Sequence, residues 1–588
     1  MKREEIDNKY KWDLSTIYSS NEEYEKDFNQ VKENIGKFKN YKEDFLNTPE
    51  RFLEFMELYQ NTNRKLEKLC MYSHLAIDVE PKNEYIQMLE ANNSGLCDMY
   101  VNETVFVELE IGKNEEKIRK ILEDKRCSKY EVMMNQILRY VPHRLSEEEE
   151  AIIGMAGSAM NSYKTYSSIK LEYKPVIVDG KECFLNDETQ REFLKNPNED
   201  VRKQAYENIH NEYKKFSNIF ANTLEGKIKE DVFYSKVRKF KSPLEASVFN
   251  DEVTPDLFYK ILDAANEKYH GYYIDYLEAS KKILKKDKLN PYDLRLPLVE
   301  SSNKKYTLDD AFNLIYEATE NLGTEYREVL DRARDEKWID YLPHLGKAQG
   351  AYSSGCYDTN PFILTSFISD LESVFTLIHE LGHSVHTYFS THYQDYIYSD
   401  YRIFVAEVAS TVNENLLLNL LIKKATTKEE KAYLLYKKLD DFVGTCYRQP
   451  FFANFENIIH EKVVNNEGLS AKTLTDIYDE LTQKYYSDKV EKNDLEKYKC
   501  FAIPHFYYNY YVYKYTIGNC VASVIAKKIS QGDKEQINKY LTFLKSGSSK
   551  SPVELLTLAG VNPLEDNLYK EAFEGFKEDL EELKKIML

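Results

Sequence analysis

A mainly α-helical fold is what this sequence predicts, and three observations carry it. Apolar residues recur at three- and four-residue spacing, flanked by Glu and Lys, through most of the 588 residues. Glycine and proline are sparse, at 20 and 15, so few breakers interrupt those runs. Strand-like patterns are confined to two short stretches.

Taken in order, "YSSNEEYEKDF" opens the first long helix: Ser20 caps it, and Glu23 completes a capping box. Similar helices continue to about residue 170. The stretch "LEYKPVIVDGKECFL", residues 171–185, places a DG turn between β-branched runs and predicts a hairpin. A boundary close by divides an expected N-terminal helical lobe, 1–195, from a second lobe, 196–588. Helices then resume, broken by a Pro-containing connector at residues 290–300. The glycine-rich "LGKAQGAYSSGCYDTNPFILTSF", residues 345–367, is the least helical stretch of the second half, and its end, 361–367, reads as a short strand. The closing "FEGFKEDLEELKKIML" is a charged amphipathic helix.

Composition excludes several classes. Acidic residues outnumber basic ones 99 to 80, a net charge of −19, which argues against a nucleic-acid partner because phosphate contacts need a basic face. No run of about eighteen apolar residues occurs and MKREEIDNKY lacks a signal-like apolar core, so no membrane association and a cytoplasmic location are expected. The eight cysteines are scattered without a CxxC pair, which suits reduced, mostly buried thiols.

The chemistry gathers in "TLIHELGHSVH", which holds three of the chain's eleven histidines. Leu371, Val374, Phe375, Ile378, Leu381 and Val385 form an apolar helical stripe. His379 and His383, four apart, project from one face of that helix, close enough to share one ion. With Glu380 they make an H-E-x-x-H pattern, in which imidazoles bind zinc and the glutamate is the general base. A catalytic zinc keeps three protein ligands and an open position for water. The apolar helix "FVAEVASTVNENLLLNLLI" offers Glu407, whose burial without a partner is costly and whose coordination of zinc removes that cost. His386 reads as structural, since a fourth ligand closes the open position.

These residues carry a resemblance. His379 to His386, followed by Glu407 in "EVASTVNE", resembles the thimet-oligopeptidase-like zinc metallopeptidases. Trp12 to Ser15, Gly350 to Gly355 and Ile503 to Tyr508 extend the similarity over nearly the whole chain, towards the oligoendopeptidase subfamily. The resemblance implies one zinc ion held by His379, His383 and Glu407, with Glu380 as base. It also implies supporting contacts from Ser410 and Glu414. The implied fold is a two-lobed helical zincin-type body with a deep substrate cleft and a small β element beside the zinc helix. Short peptides are the implied substrates.

The cluster "IPHFYYNYYVYKYTIG" holds six tyrosines and a histidine. With Pro504 in the first turn of a helix, Tyr508, Tyr511 and Tyr515 share one face; the alternative face is Phe506, Tyr510 and Tyr513. The family resemblance makes His505, Tyr511 and Tyr515 donors to a developing oxyanion and Tyr508 a substrate contact. Gly350, Tyr352 and Gly355 resemble a substrate-facing loop, with 361–367 as an edge strand that pairs with an extended peptide. Three functions follow: a zinc oligoendopeptidase first, then a zinc exopeptidase, then an inactive peptide-binding relative. Oligomeric state is not encoded in any motif.

Overall fold

The computed structural model describes residues 1–157, 160–300 and 304–588. The chain is mainly helical, with one two-stranded and one three-stranded sheet among the described residues. It divides into two compact units, each assembled from three segments.

The first unit comprises Met1–Pro142, Asn303–Leu420 and Ile525–Asn562. Its early helices are Asn21–Ile35, Pro49–Val79 and Glu84–Lys113. Ser20 caps the first by accepting from the Glu23 amide, as expected. The return half of the box shifts by one residue, because the Glu23 carboxylate accepts from the Ser19 amide instead of Ser20's. The three-stranded sheet belongs to this unit and runs in the order β3 (Ile339–Asp340), β5 (Phe362–Leu364), β4 (Tyr352–Ser354). β5 pairs parallel with β3 and antiparallel with β4. Within the stretch 361–367 the strand is Phe362–Leu364, central and fully buried, and not the expected edge. Its Phe-Ile-Leu run is the apolar signature of a strand covered on both faces. Trp12 sets its ring edge-on against Phe362, which ties the N-terminal "WDLS" to this sheet.

The second unit comprises His143–Ser302, Leu421–Val524 and Pro563–Leu588. Its hairpin, β1 (Val176–Val178) with β2 (Lys181–Cys183), turns at Asp179 and Gly180, both at positive φ, the conformation a DG turn demands. Val176 and Leu185 pack on Val201, Ala205 and Ile209 of the helix Glu199–Lys215. The expected cut at residue 195 thus runs through a shared core, and the unit bounds fall elsewhere. The closing helix, Asp566–Met587, buries Leu568, Phe573, Phe576, Leu580 and Leu583 on one face, the amphipathic pattern seen in the sequence.

All eight cysteines are free thiols. Cys127, Cys446, Cys500 and Cys520 are buried, while Cys70, Cys97, Cys183 and Cys356 are only half-buried, so the expected core role holds for half of them. Among the described residues no helix is long and apolar enough to cross a membrane.

Candidate metal centre

The helix Leu371–Tyr393 begins where Asp370 accepts from the Ser373 amide at 2.8 Å. Val374, Phe375, Ile378, Leu381 and Val385 are buried as their spacing predicts, and Leu371 at the first turn is half-buried. Each side chain removed from water contributes about 1.5–3 kcal/mol to holding the helix in place. The helix Ile403–Lys424 lies against it at Gly382. A Cβ on Gly382 would stand 2.7 Å from Ser410 Cα and 2.8 Å from the Ala409 carbonyl oxygen, so only glycine permits this approach. Asn413, fully buried, pins the pair: its amide donates to the Ile378 carbonyl at 3.1 Å and its oxygen accepts from Tyr326 Oη at 2.8 Å.

That contact brings Glu407 over the paired rings. Glu407 Oε2 lies 3.5 Å from His379 Nε2 and 3.4 Å from His383 Nε2. The two imidazoles are 4.9 Å apart, centroid to centroid, at 77°. One ligand atom from each of His379, His383 and Glu407 falls within 4.8 Å of the others. Ligands at about 2.0–2.1 Å from a tetrahedral zinc stand about 3.3 Å from each other, so the donor set fits one ion. Glu407 is not buried, however. Its side chain is 60% exposed, so the desolvation argument for its role fails: this end of the helix opens to solvent.

The surroundings order these groups. Glu414 Oε1 lies 2.9 Å from His379 Nδ1, leaving Nε2 to face Glu407. Ser410 does not reach an imidazole; its hydroxyl donates to Glu407 Oε2 at 2.9 Å. Burial works against a charged His379, yet the hydrogen bond and charge of Glu414 outweigh it and hold the ring's pKa up at about 9. Contact with His383, then the charge of both imidazoles, holds Glu407 down at about 2. Glu380 is buried, which pushes its carboxyl above the usual range despite the two histidines beside it. His386 is buried with its ring flat on Tyr401 at 3.7 Å, and burial pushes its pKa down to about 3; it is a neutral packing histidine, though its Nδ1 has no hydrogen-bond partner among the described residues.

The glycine-rich loop sits in the same unit. Gly350 adopts φ +90°, and a Cβ on Gly355 would meet Pro361 Cα at 2.8 Å. The Tyr352 hydroxyl donates to Asp78 at 2.7 Å, and its ring stacks on His74. Ser353 Oγ lies 2.8 Å from Ser384 Oγ of the histidine helix, which fixes β4 to the metal centre. β4 is paired on one side only among the described residues, so the sheet edge is here.

In the second unit, the tyrosine cluster departs from the single helix expected. Pro504–Tyr507 forms a 3-10 turn, Asn509 and Tyr510 take φ of 50° and 58°, and a helix starts only at Tyr513. Six tyrosines and Phe506 compete for one interior, and the break lets one set bury while another stays partly exposed. Phe506, Tyr510 and Tyr513 are buried, whereas His505, Tyr508, Tyr511 and Tyr515 form a half-exposed group. Tyr515 Oη lies 3.4 Å from His505 Nε2, and the Tyr511 ring stands edge-on to both Tyr508 and Tyr515. The predicted grouping survives, carried by a strained turn instead of a helix face. Glu456 Oε1 accepts the Tyr510 amide at 2.6 Å and anchors that turn.

Sequence reasoning missed Gly382, Asn413, Tyr326 and Glu456. Gly382 inside H-E-L-G-H and Asn413 inside an apolar run were the available signals; Tyr326 and Glu456 had none.

An H-E-x-x-H helix whose imidazoles meet a carboxylate from a neighbouring helix is the arrangement of a metallopeptidase. Comparison with known proteins agrees. The model described as Peptidase family M3 matches residues 192–575, and one described as Oligopeptidase F matches residues 113–171. The chain belongs to peptidase family M3. It is 33% identical over 593 residues to oligopeptidase PepF of Bacillus subtilis (strain 168), covering 100% of this chain and 88% of that protein. A candidate peptidase from Chlamydophila abortus superposes with a TM-score of 0.93 at 29% identity, covering 100% of this chain and 99% of the other. Oligoendopeptidase-F from Enterococcus faecium gives 0.72 at 29% identity over 96% and 99%. The fold is the helical one of this family, and the chain is a metallopeptidase acting on oligopeptides.

Proposed function

We propose that this enzyme is a zinc-dependent endopeptidase that hydrolyses internal bonds of short peptides. The observation that carries the reading is the meeting of His379, His383 and Glu407 within 4.8 Å, beside the buried Glu380. Those three residues would hold one zinc ion, the metal that two imidazoles and a carboxylate suit. Bound zinc supplies Lewis acidity, lowering the pKa of water towards neutrality and polarising a carbonyl.

The chain's own groups do the rest. Glu380 takes a proton from the attacking water as the oxygen–carbon bond forms, then delivers it to the amine as the carbon–nitrogen bond breaks. Its raised pKa matches that two-way task better than an ordinary carboxylate's. Glu414 and Ser410 hold His379 and Glu407 in orientation. His505, Tyr511 and Tyr515 are the donors assigned to the substrate carbonyl, and Tyr508, Tyr352, Gly350 and Gly355 the peptide contacts. The unpaired edge of β4 would offer a peptide backbone its hydrogen bonds.

Mass-spectrometric fragment analysis of an internally quenched peptide tests this. Fragments from internal cleavage, absent with chelator and with Glu380→Gln, are the expected result. Release of single terminal residues would instead mark an exopeptidase, and tight peptide binding without turnover by the zinc-loaded chain would mark a binding protein.

A further inference from the structure

The Pro-containing connector and a distortion in one helix meet in the second unit, at a place that the peptidase chemistry does not use. Over Val443–Arg448 the helix widens to π geometry. Pro450 is the cause: it lacks the amide that would bond Cys446's carbonyl, and the preceding turn opens. The widened turn ends on Arg448, which projects into a recess of about 50 Å³. Arg295 of the connector, Lys499, Asp440, Tyr485 and Tyr486 also line it. None of these residues belongs to the metal centre or to the His505 cluster.

The charges around this recess do not balance. Lys499 is paired with the buried Glu496 at 3.0 Å. Neither Arg295 nor Arg448 has a carboxylate within ion-pair distance among the described residues, and Asp440 acts on both only at longer range. Two guanidiniums therefore face one space against a single carboxylate. Arg448's positive charge is the largest cause pushing the Arg295 guanidinium down to about 10, and Arg191 adds to the effect. Like charges held together this way are costly unless an anion joins them. Arg295 lies exposed at the mouth and Arg448 half-buried within.

We propose that this recess is a binding site for a small oxyanion: inorganic phosphate or the phosphate of a phosphomonoester. Planar guanidiniums present paired N–H donors that match two oxygens of such a group. The volume is on the scale of one oxyanion group.

Calorimetric titration of the full-length zinc-loaded chain with inorganic phosphate, ionic strength held constant with sodium chloride, tests the site. The expected result is saturable binding and a matching rise in melting temperature. Arg448→Met and Arg295→Gln should each weaken that binding by about tenfold or more. Arg295 is exposed, so Arg295→Gln keeps the test decisive if Arg448→Met fails to fold. Tighter binding of glycerol phosphate would identify a phosphomonoester as the source, and weaker binding, free phosphate. An equal effect from chloride alone would overturn the proposal. So would phosphate binding that persists unchanged in both variants, which would place the anion elsewhere, the metal centre included.

Discussion

Glu380 and Glu414 are two carboxylates near one pair of imidazoles, and their surroundings divide the work between them. Glu380 is buried, and that burial is the largest cause of its raised pKa. Replacing it with Gln keeps the shape and removes the base, so turnover should fall by about 10²–10⁴-fold or more while zinc content stays at the wild-type level. Among the described residues Glu414's hydrogen-bond partner is His379 Nδ1. Glu414→Ala should weaken zinc affinity about 10–100-fold, measured by competition with a chromogenic chelator. The same contact sets a pH dependence. In the metal-free chain the folded pKa of His379, about 9, lies above the unfolded value near 6.5, so this pair stabilises fully below about 6.5 and its contribution is lost as pH rises through about 9. Zinc needs the neutral ring, so its affinity should rise over that window and its uptake should release a proton. Melting curves of the metal-free and loaded chains against pH read both trends.

Elements position these residues, and here the sequence was informative in one place and silent in another. The stripe Val374, Phe375, Ile378, Leu381 and Val385 announced a helix whose polar face carries His379 and His383, because helical period is written directly in the pattern of apolar residues. The partner helix was visible too, but what sets its depth was not: a glycine's missing Cβ signals close approach only once the opposing backbone is known. Gly382→Ala should push Ser410 and Glu407 away from the rings, costing about 1–3 kcal/mol of stability and lowering zinc affinity, by denaturant melts and chelator competition. The tyrosine segment escaped prediction for another reason. Its periodicity fits a helix, yet Asn509 and Tyr510 both take positive φ, which local pattern does not encode. The turn is held by a distant carboxylate, Glu456, one oxygen of which bonds the Tyr510 amide while the other has no partner. Glu456→Gln retains an acceptor and should be nearly neutral. Glu456→Leu strands the amide and should cost about 1–3 kcal/mol, by denaturant melts, with a loss of turnover if His505, Tyr511 and Tyr515 act on substrate.

Across the whole molecule, fold class and family were legible, and domain boundaries were not. Composition and periodicity fix the helical class because they are local properties. Unit membership is a matter of long-range packing: Val176 and Leu185 share a core with Val201, and the first unit draws on Met1–Pro142, Asn303–Leu420 and Ile525–Asn562. A fragment of residues 196–588 carries the whole metal motif but lacks the helices Pro49–Val79 and Glu84–Lys113 and the hairpin beside Glu199–Lys215. Circular dichroism and melting should show it without cooperative unfolding. The charge of −19 likewise follows from composition, yet it does not reveal that two arginines line one recess.

Two imidazoles and one carboxylate of this chain are proposed to hold a catalytic zinc. Zinc-edge X-ray absorption on the loaded enzyme tests it most directly. The expected spectrum shows two imidazole nitrogens and light oxygen donors around the zinc, the carboxylate contribution lost in Glu407→Ala. A shell of thiolate sulfur, or a spectrum that Glu407→Ala leaves unchanged, would contradict it.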